Sequence, residues 1–163
     1  VNMSPRTFNN KNIVETIDTL LADHRIDHRL IEFEITETTA MRDVQHTLET
    51  MRRFRQRGIR FSIDDFGTGY SSLSYLSEMP VSTLKIDKRF INTADANSRS
   101  IVSTITAMSK QMQLNVGAEG VETSEQLQWL KGIGCNEVQG YYLSRPLPVD
   151  KLGEFMQGKG TVV

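Results

Sequence analysis

"GIRFSIDDFGTGYSS", residues 58–72, sets Ile59, Phe61 and Ile63 in strand-like alternation and ends the strand on adjacent carboxylates, Asp64 and Asp65. Adjacent carboxylates repel, and each is costly to desolvate unless a cation or hydrogen-bond donors compensate. A turn is one reading, since Asp and Gly are common turn residues. A functional site is the other. What separates them is whether further carboxylates arrive at equivalent places along the chain.

Working outward, Gly58 stands at a helix C-cap position behind the stripe Val44, Leu48, Met51 and Phe54. Before that stripe, "LIEFEIT" (30–36) reads as a strand and Ile13, Ile17, Leu20 and Leu21 as a helix face. After the glycine-containing loop come a short helix, "LSYLSEM", and a strand, "STLKID" (82–87). Ile101, Ile105, Met108 and Met112 make another helical stripe, and "LNVGAE" (114–119) a further strand. Thr123 and Gln126 have capping-box spacing for the helix "SEQLQWLKGI". "CNEVQGYY" reads as a last short strand and "PVDKLGEFM" as a terminal helix. Strand–helix alternation without hairpin signals implies a parallel sheet with crossover helices. That leaves an open doubly wound sheet or a β/α barrel. The absence of a Gly-rich phosphate loop after the first strand weighs against a nucleotide-binding open sheet.

The 163 residues suffice for one domain with a core, and a net charge of -1 provides no global field for nucleic acid or an anionic membrane. No apolar run approaches the roughly 20 residues of a membrane span. Cys135 is the only cysteine, so neither a disulfide framework nor a thiolate cluster is expected, and a reducing cytoplasm fits best. The opening "VNMS" reads as the middle of a longer fold.

The polar residues at strand ends form a pattern: Asn2, then Glu34 and Glu37, Asp64 and Asp65, Lys85 and Asp87, Glu119 and Glu122, and Gln139. In a β/α barrel such ends converge on one face, where catalytic residues sit. So many acids need cations. The donors are oxygen atoms and the three histidines lie elsewhere, which favours Mg²⁺ or Mn²⁺ over zinc. The Asp pair could bridge two ions, as in two-metal phosphodiester hydrolysis, with Lys85 stabilising developing charge or holding the attacking water. Plainer roles stand beside these. Asn2 could be a turn residue, Glu37 a loop cap, Lys85 with Asp87 a strand-edge ion pair, and Glu122 a favourable charge at a helix N-terminus. Glu37 is preferred as a loop anchor, because Ser71 and Ser72 offer hydroxyls. The histidines read as solvated, Trp129 and the methionines as core, and Cys135 as a small buried residue.

"VNMS", "EITET", "DDFGTGYSS", "KID", "AEGVET" and "QGYYLSRPLP" occur in an order and spacing that resemble the EAL-type cyclic-di-GMP phosphodiesterases. The resemblance covers essentially the whole chain. It implies a modified TIM (β/α) barrel and hydrolysis of cyclic-di-GMP to linear pGpG. By matching position it implies Asn2, Glu34 and Asp64 as ligands of a first Mg²⁺ or Mn²⁺ ion, and Asp64, Asp65 and Glu119 as ligands of a second. It further implies Lys85 as the catalytic lysine that orients water, Glu119 as a possible general base and Glu37 as the loop anchor. Asp87, Glu122 and Gln139 match further active-site positions. The Glu-Ala-Leu tripeptide that names the family is absent, and a complete barrel typically needs about 250 residues, or at least about 200. The expectation is therefore an N-terminally truncated EAL domain over 1–163, its barrel lacking the first strand region. Three functions follow: an enzyme in the parent form, a cyclic-di-GMP receptor that binds without cleaving, or an inert fragment. The retained ligands and lysine favour the enzyme. The resemblance also implies a homodimer through this domain, an upstream GGDEF or sensor domain, no nucleic-acid polymer as partner, and a cytoplasmic site, tethered or not.

Overall fold

The alternation in 59–66 folds into β2 (Arg60–Phe66), one strand of an all-parallel five-stranded sheet. The computed structural model describes residues 1–69, 73–93 and 95–159. Ser71 and Ser72, on which the reading of Glu37 leaned, lie outside the described residues. The other strands are β1 (Glu32–Thr36), β3 (Thr83–Ile86), β4 (Asn115–Ala118) and β5 (Glu137–Val138). Spatial order equals chain order, β1-β2-β3-β4-β5, as winding a barrel requires. Residues 1–3 add a parallel edge beside β1, with Asn2 bridging Glu34 and the Met3 N–H donating to the Glu34 carbonyl at 2.8 Å. The described sheet is not closed, so the fold is an incomplete β/α barrel.

Helices α1 (Pro5–Phe8), α2 (Ile13–Asp23), α3 (Glu37–Arg42) and α4 (Val44–Arg55) flank β1 and β2. They are followed by α5 (Leu73–Glu78), α6 (Lys88–Thr93), α7 (Ala96–Gln111), α8 (Ser124–Ile133) and α9 (Val149–Lys159). Phe33 of β1, Phe54 of α4 and Phe61 of β2 form an aromatic cluster with centroids 5.3–5.8 Å apart. Phe8 meets Phe61 edge-on. Such tilted contacts add about 0.5–1.5 kcal/mol each beyond area burial. Arg57 of the α4 C-terminal turn pairs with Asp18, and Arg53 with Glu15, tying α4 to α2. The Thr123–Gln126 capping box is formed, and Gly134 ends α8 at a φ of +88°.

The structure differs from the sequence reading at several elements. The short helices α1, α3 and α6 fall where no apolar stripe signals them. Glu37 opens α3 instead of ending a strand, because Thr36 caps the helix by accepting from the Thr39 N–H. Glu34 lies in the middle of β1. The last strand is only Glu137–Val138, since the chain turns sharply after Gln139. His28 is half-buried beside Asp18 at 3.3 Å and His46 meets Phe8 edge-on, so neither is simply solvated. Among the described residues no helix is long and apolar enough to cross a membrane.

Candidate active site

In a regular strand Asp64 and Asp65 would point to opposite faces. A bulge removes that constraint. The β2–β3 register shifts between Ile63 and Phe66, and Asp65 takes a φ of +55°, rare for a non-glycine residue. The Asp64 carboxylate also accepts from the Asp65 N–H at 2.9 Å, which helps hold the distorted backbone. Both aspartates stay half-buried, each in its own charge environment.

Asp64 belongs with the acids of neighbouring strands. Lys85 of β3 reaches Glu34 of β1 at 2.9 Å and Glu119, just past β4, at 2.5 Å. Its side chain is 14 % exposed and those of both glutamates 24 %, so the cluster is shielded from water. Burial pushes the Asp64 carboxyl above the ordinary carboxylate range, and the nearby Glu119 and Glu34 add to this, only partly offset by Lys85. For Lys85, burial works against the charge, but hydrogen bonds to Glu119 and Glu34 outweigh it and hold the ammonium above its usual range. Lys85 therefore stays protonated across physiological pH.

Asp65 meets Asp87 in addition to the charges of Asp64 and Glu119. Burial, and then a hydrogen bond with the Asp87 carboxylate, raise the Asp65 carboxyl. Burial opposes ionisation of Asp87 too. The Arg89 N–H at 2.7 Å, its guanidinium at 3.1 Å and the Asp65 contact together overcome burial and lower Asp87. The strand-edge pair of Lys85 with Asp87 is thus not formed. β3 stops at Ile86, and Asp87 turns to the start of α6 while Lys85 points at the glutamates.

The buried Glu37 carboxylate accepts from the Gly67 N–H at 3.0 Å and the Gly69 N–H at 3.2 Å. A Cβ on Gly69 would come within 3.0 Å of that carboxylate, so the loop approaches it closely. Gln139 lines a cleft of about 110 Å³ with Lys85, Glu119 and Glu137. Asn2 joins the site through its backbone bridge to Glu34, with an exposed side chain. Glu122 is exposed before α8, and its carboxylate makes no ion pair among the described residues. Arg89 and Gly140 escaped sequence reasoning. Arg89 carries a signal in retrospect, two residues past an aspartate that ends a strand.

Among the described residues no three acidic, histidine or cysteine side chains form a ready-made cation cage. By donor chemistry the cluster still fits hard cations. It is all oxygen, and Asp64 and Asp65 are carboxyls whose charge has too little local compensation.

Comparison with known proteins agrees with this architecture. MucR of Pseudomonas aeruginosa, a bifunctional diguanylate cyclase/cyclic di-GMP phosphodiesterase, is 42% identical over 154 residues, covering 93% of this chain and 22% of MucR. The cyclic di-GMP phosphodiesterase NbdA of the same organism is 40% identical over 159 residues, covering 96% of this chain and 20% of NbdA. The chain thus spans about a fifth of the length of these relatives. The MucR phosphodiesterase solved with c-di-GMP superposes at a TM-score of 0.91 with 42% identity, over 93% of this chain and 62% of that one. Klebsiella pneumoniae BlrP1, solved with manganese and cyclic-di-GMP, gives 0.81 at 28% identity, over 90% and 38%. The EAL domain family model matches residues 1–146, from the edge that bridges Glu34 to the turn beyond β5, and the chain belongs to the EAL domain family.

Proposed function

We propose that this chain carries the catalytic face of a metal-dependent phosphodiesterase that hydrolyses cyclic-di-GMP to linear pGpG, a step in bacterial signalling and biofilm regulation. The observation that carries the reading is the convergence of Glu34 of β1, Asp64 of β2 and Glu119, just past β4, around the single ammonium of Lys85 of β3. Asn2, Glu34, Asp64, Asp65 and Glu119 would hold two Mg²⁺ or Mn²⁺ ions. Such ions, when bound, polarise the phosphoryl group and lower the pKa of a bound water. Lys85, kept protonated by its two glutamates, donates to the attacking water and offsets charge that develops on the phosphoryl oxygens. In this reading Glu119 accepts the water proton. Water adds to phosphorus, the P–O3′ bond breaks, and the departing 3′ oxygen takes up a proton. Asp87, held by Arg89, positions Asp65, and Glu37 anchors the Gly67–Gly69 loop. Gln139 and Glu122 are assigned to the approach of the substrate. In a longer protein the domain would act in the cytoplasm, pair as a homodimer and answer to a GGDEF or sensor domain.

A second reading, binding without cleavage, is favoured by one observation. Lys85 bridges Glu34 and Glu119, and no preformed cation cage stands among the described residues. Incubation of the chain with cyclic-di-GMP and Mg²⁺ or Mn²⁺, followed by chromatography, separates the two. Production of pGpG supports the enzyme; retained, uncleaved cyclic-di-GMP at equimolar occupancy overturns it in favour of the receptor.

A further inference from the structure

Side chains of β1 and β2 divide between two faces of the sheet. Phe33 and Phe61 pack with Phe54 of α4, on the face that the helices cover. Alternation therefore turns their neighbours Glu34 and Ser62 to the opposite face. The register partners Glu32 and Arg60 also meet on that face, at 3.6 Å. Ser62 pairs in register with Glu34 of β1 on one side and Thr83 of β3 on the other. Lys85, two residues past Thr83, reaches Glu34 at 2.9 Å. That contact joins β1 to β3, which lie about 9–10 Å apart with β2 between them. The two side chains must cross β2 on the face that carries Ser62.

Ser62 is 0% exposed, so side chains of this face close over it. Its hydroxyl nevertheless finds no hydrogen-bond partner among the described residues. Buried hydroxyls are ordinarily paired, and an unpaired one costs stability. The position therefore gains nothing from the hydroxyl; what it offers is small size. On its other side Lys85 runs beside Gly117, its register partner on β4, where a Cβ would stand 3.6 Å from the Lys85 Cγ. We propose that Ser62 is a positioning residue: its small side chain is the floor over which Lys85 crosses β2 to reach Glu34, and a larger side chain there holds the ammonium off that carboxylate. The proposal rests on the reading of Lys85 as the group that orients the attacking water, and it names what sets Lys85 in place.

NMR of the full chain with isotope-labelled lysine, recorded in chelator, tests it, alongside thermal unfolding and pGpG kinetics. The wild-type chain should show one slowly exchanging ammonium resonance, assigned to Lys85 by its loss in Lys85→Met. Ser62→Ala should keep that resonance and raise Tm by roughly 2–4 °C, because it removes an unpaired buried hydroxyl. Ser62→Leu should lose the resonance and lower kcat by about ten-fold or more, with KM changed by less than about two-fold. Ser62→Val, a good strand former with less excess volume, should move both in the same direction and carries the test if leucine prevents folding. Retention of the resonance and of kcat in the folded leucine or valine variant overturns the proposal. A lower Tm in Ser62→Ala also overturns it, since the hydroxyl would then be paired. So does a wild-type chain without a protected ammonium. A protected wild-type ammonium that Ser62→Leu abolishes, in a chain that yields no pGpG with Mg²⁺ or Mn²⁺, supports the placement of Lys85 and overturns the enzyme reading instead.

Discussion

Asp64, a metal ligand in the proposed mechanism, carries a cost in folding. Its carboxyl is raised by burial and by Glu119 and Glu34, so in the absence of cations its ionised form destabilises the native state. The sign follows directly: an acid whose folded pKa exceeds its unfolded value contributes more stability as pH falls through the folded pKa. Asp64→Asn removes that charge and keeps an oxygen for the Asp65 N–H. It should abolish most pGpG production, yet in chelator raise Tm by roughly 2–4 °C, the effect of about 1 kcal/mol in a chain of this size. Chromatography and thermal unfolding of the same sample check both halves. Cys135 offers a second residue-scale test. Burial is the main cause that pushes its thiol up to about 11, although the thiol donates to the Val116 and Glu137 carbonyls. Alkylation by iodoacetamide at pH 8 should therefore run about a hundred-fold slower than in the urea-unfolded chain, since the thiolate is the nucleophile.

At the scale of elements, the first turn of α3 holds the loop that follows β2. Glu37 is buried at the start of that helix and accepts from the Gly67 and Gly69 N–H groups, so Glu37→Ala leaves both donors without their acceptor. The variant should lose about 2 kcal/mol of stability, with faster amide exchange at Gly67 and Gly69 than elsewhere in the chain, as NMR would record. The longer elements were legible in the sequence because their apolar residues repeat often enough to reveal a period, as along Ile101, Ile105 and Met108 of α7. The short helices α1, α3 and α6, of four to six residues, are too short for a period. Their signals are caps instead: Ser4 before Pro5, and Thr36 accepting from Thr39. The acidic strand ends were legible because parallel strands share one direction. Lys85's true partners were not, because Glu34 lies 51 positions away and only sheet register brings it near. The outward turn of Asp87 depends on where β3 stops, which alternation does not encode.

For the molecule as a whole, the proposed mechanism carries a cation dependence that follows from donor chemistry. Turnover should appear with Mg²⁺ or Mn²⁺, vanish in excess chelator and fall when Ca²⁺ replaces them, because Ca²⁺ prefers larger, looser coordination. Rates of pGpG release in the three ions measure this, and full activity in chelator would remove the metal from the mechanism. The sequential order of the sheet has a kinetic consequence. β1 runs in register with β2 from Glu32↔Arg60 to Thr36↔Asp64, whereas β5 pairs with β4 over two residues, Gly117↔Glu137 and Ala118↔Val138, with single backbone bonds from Asn136 to Val116 and from Gln139 to Ala118 at its ends. Local openings should therefore be rare at the first pair and frequent at the last. In deuterium exchange, the Ile63 and Ile35 amides should be among the last to label and those of Val138 and Gln139 among the first. The β5 side of the cleft would then breathe against the side formed by β3 and β4, so that in the proposed reaction ligand entry and product escape become a matter of how often the β5 side loosens.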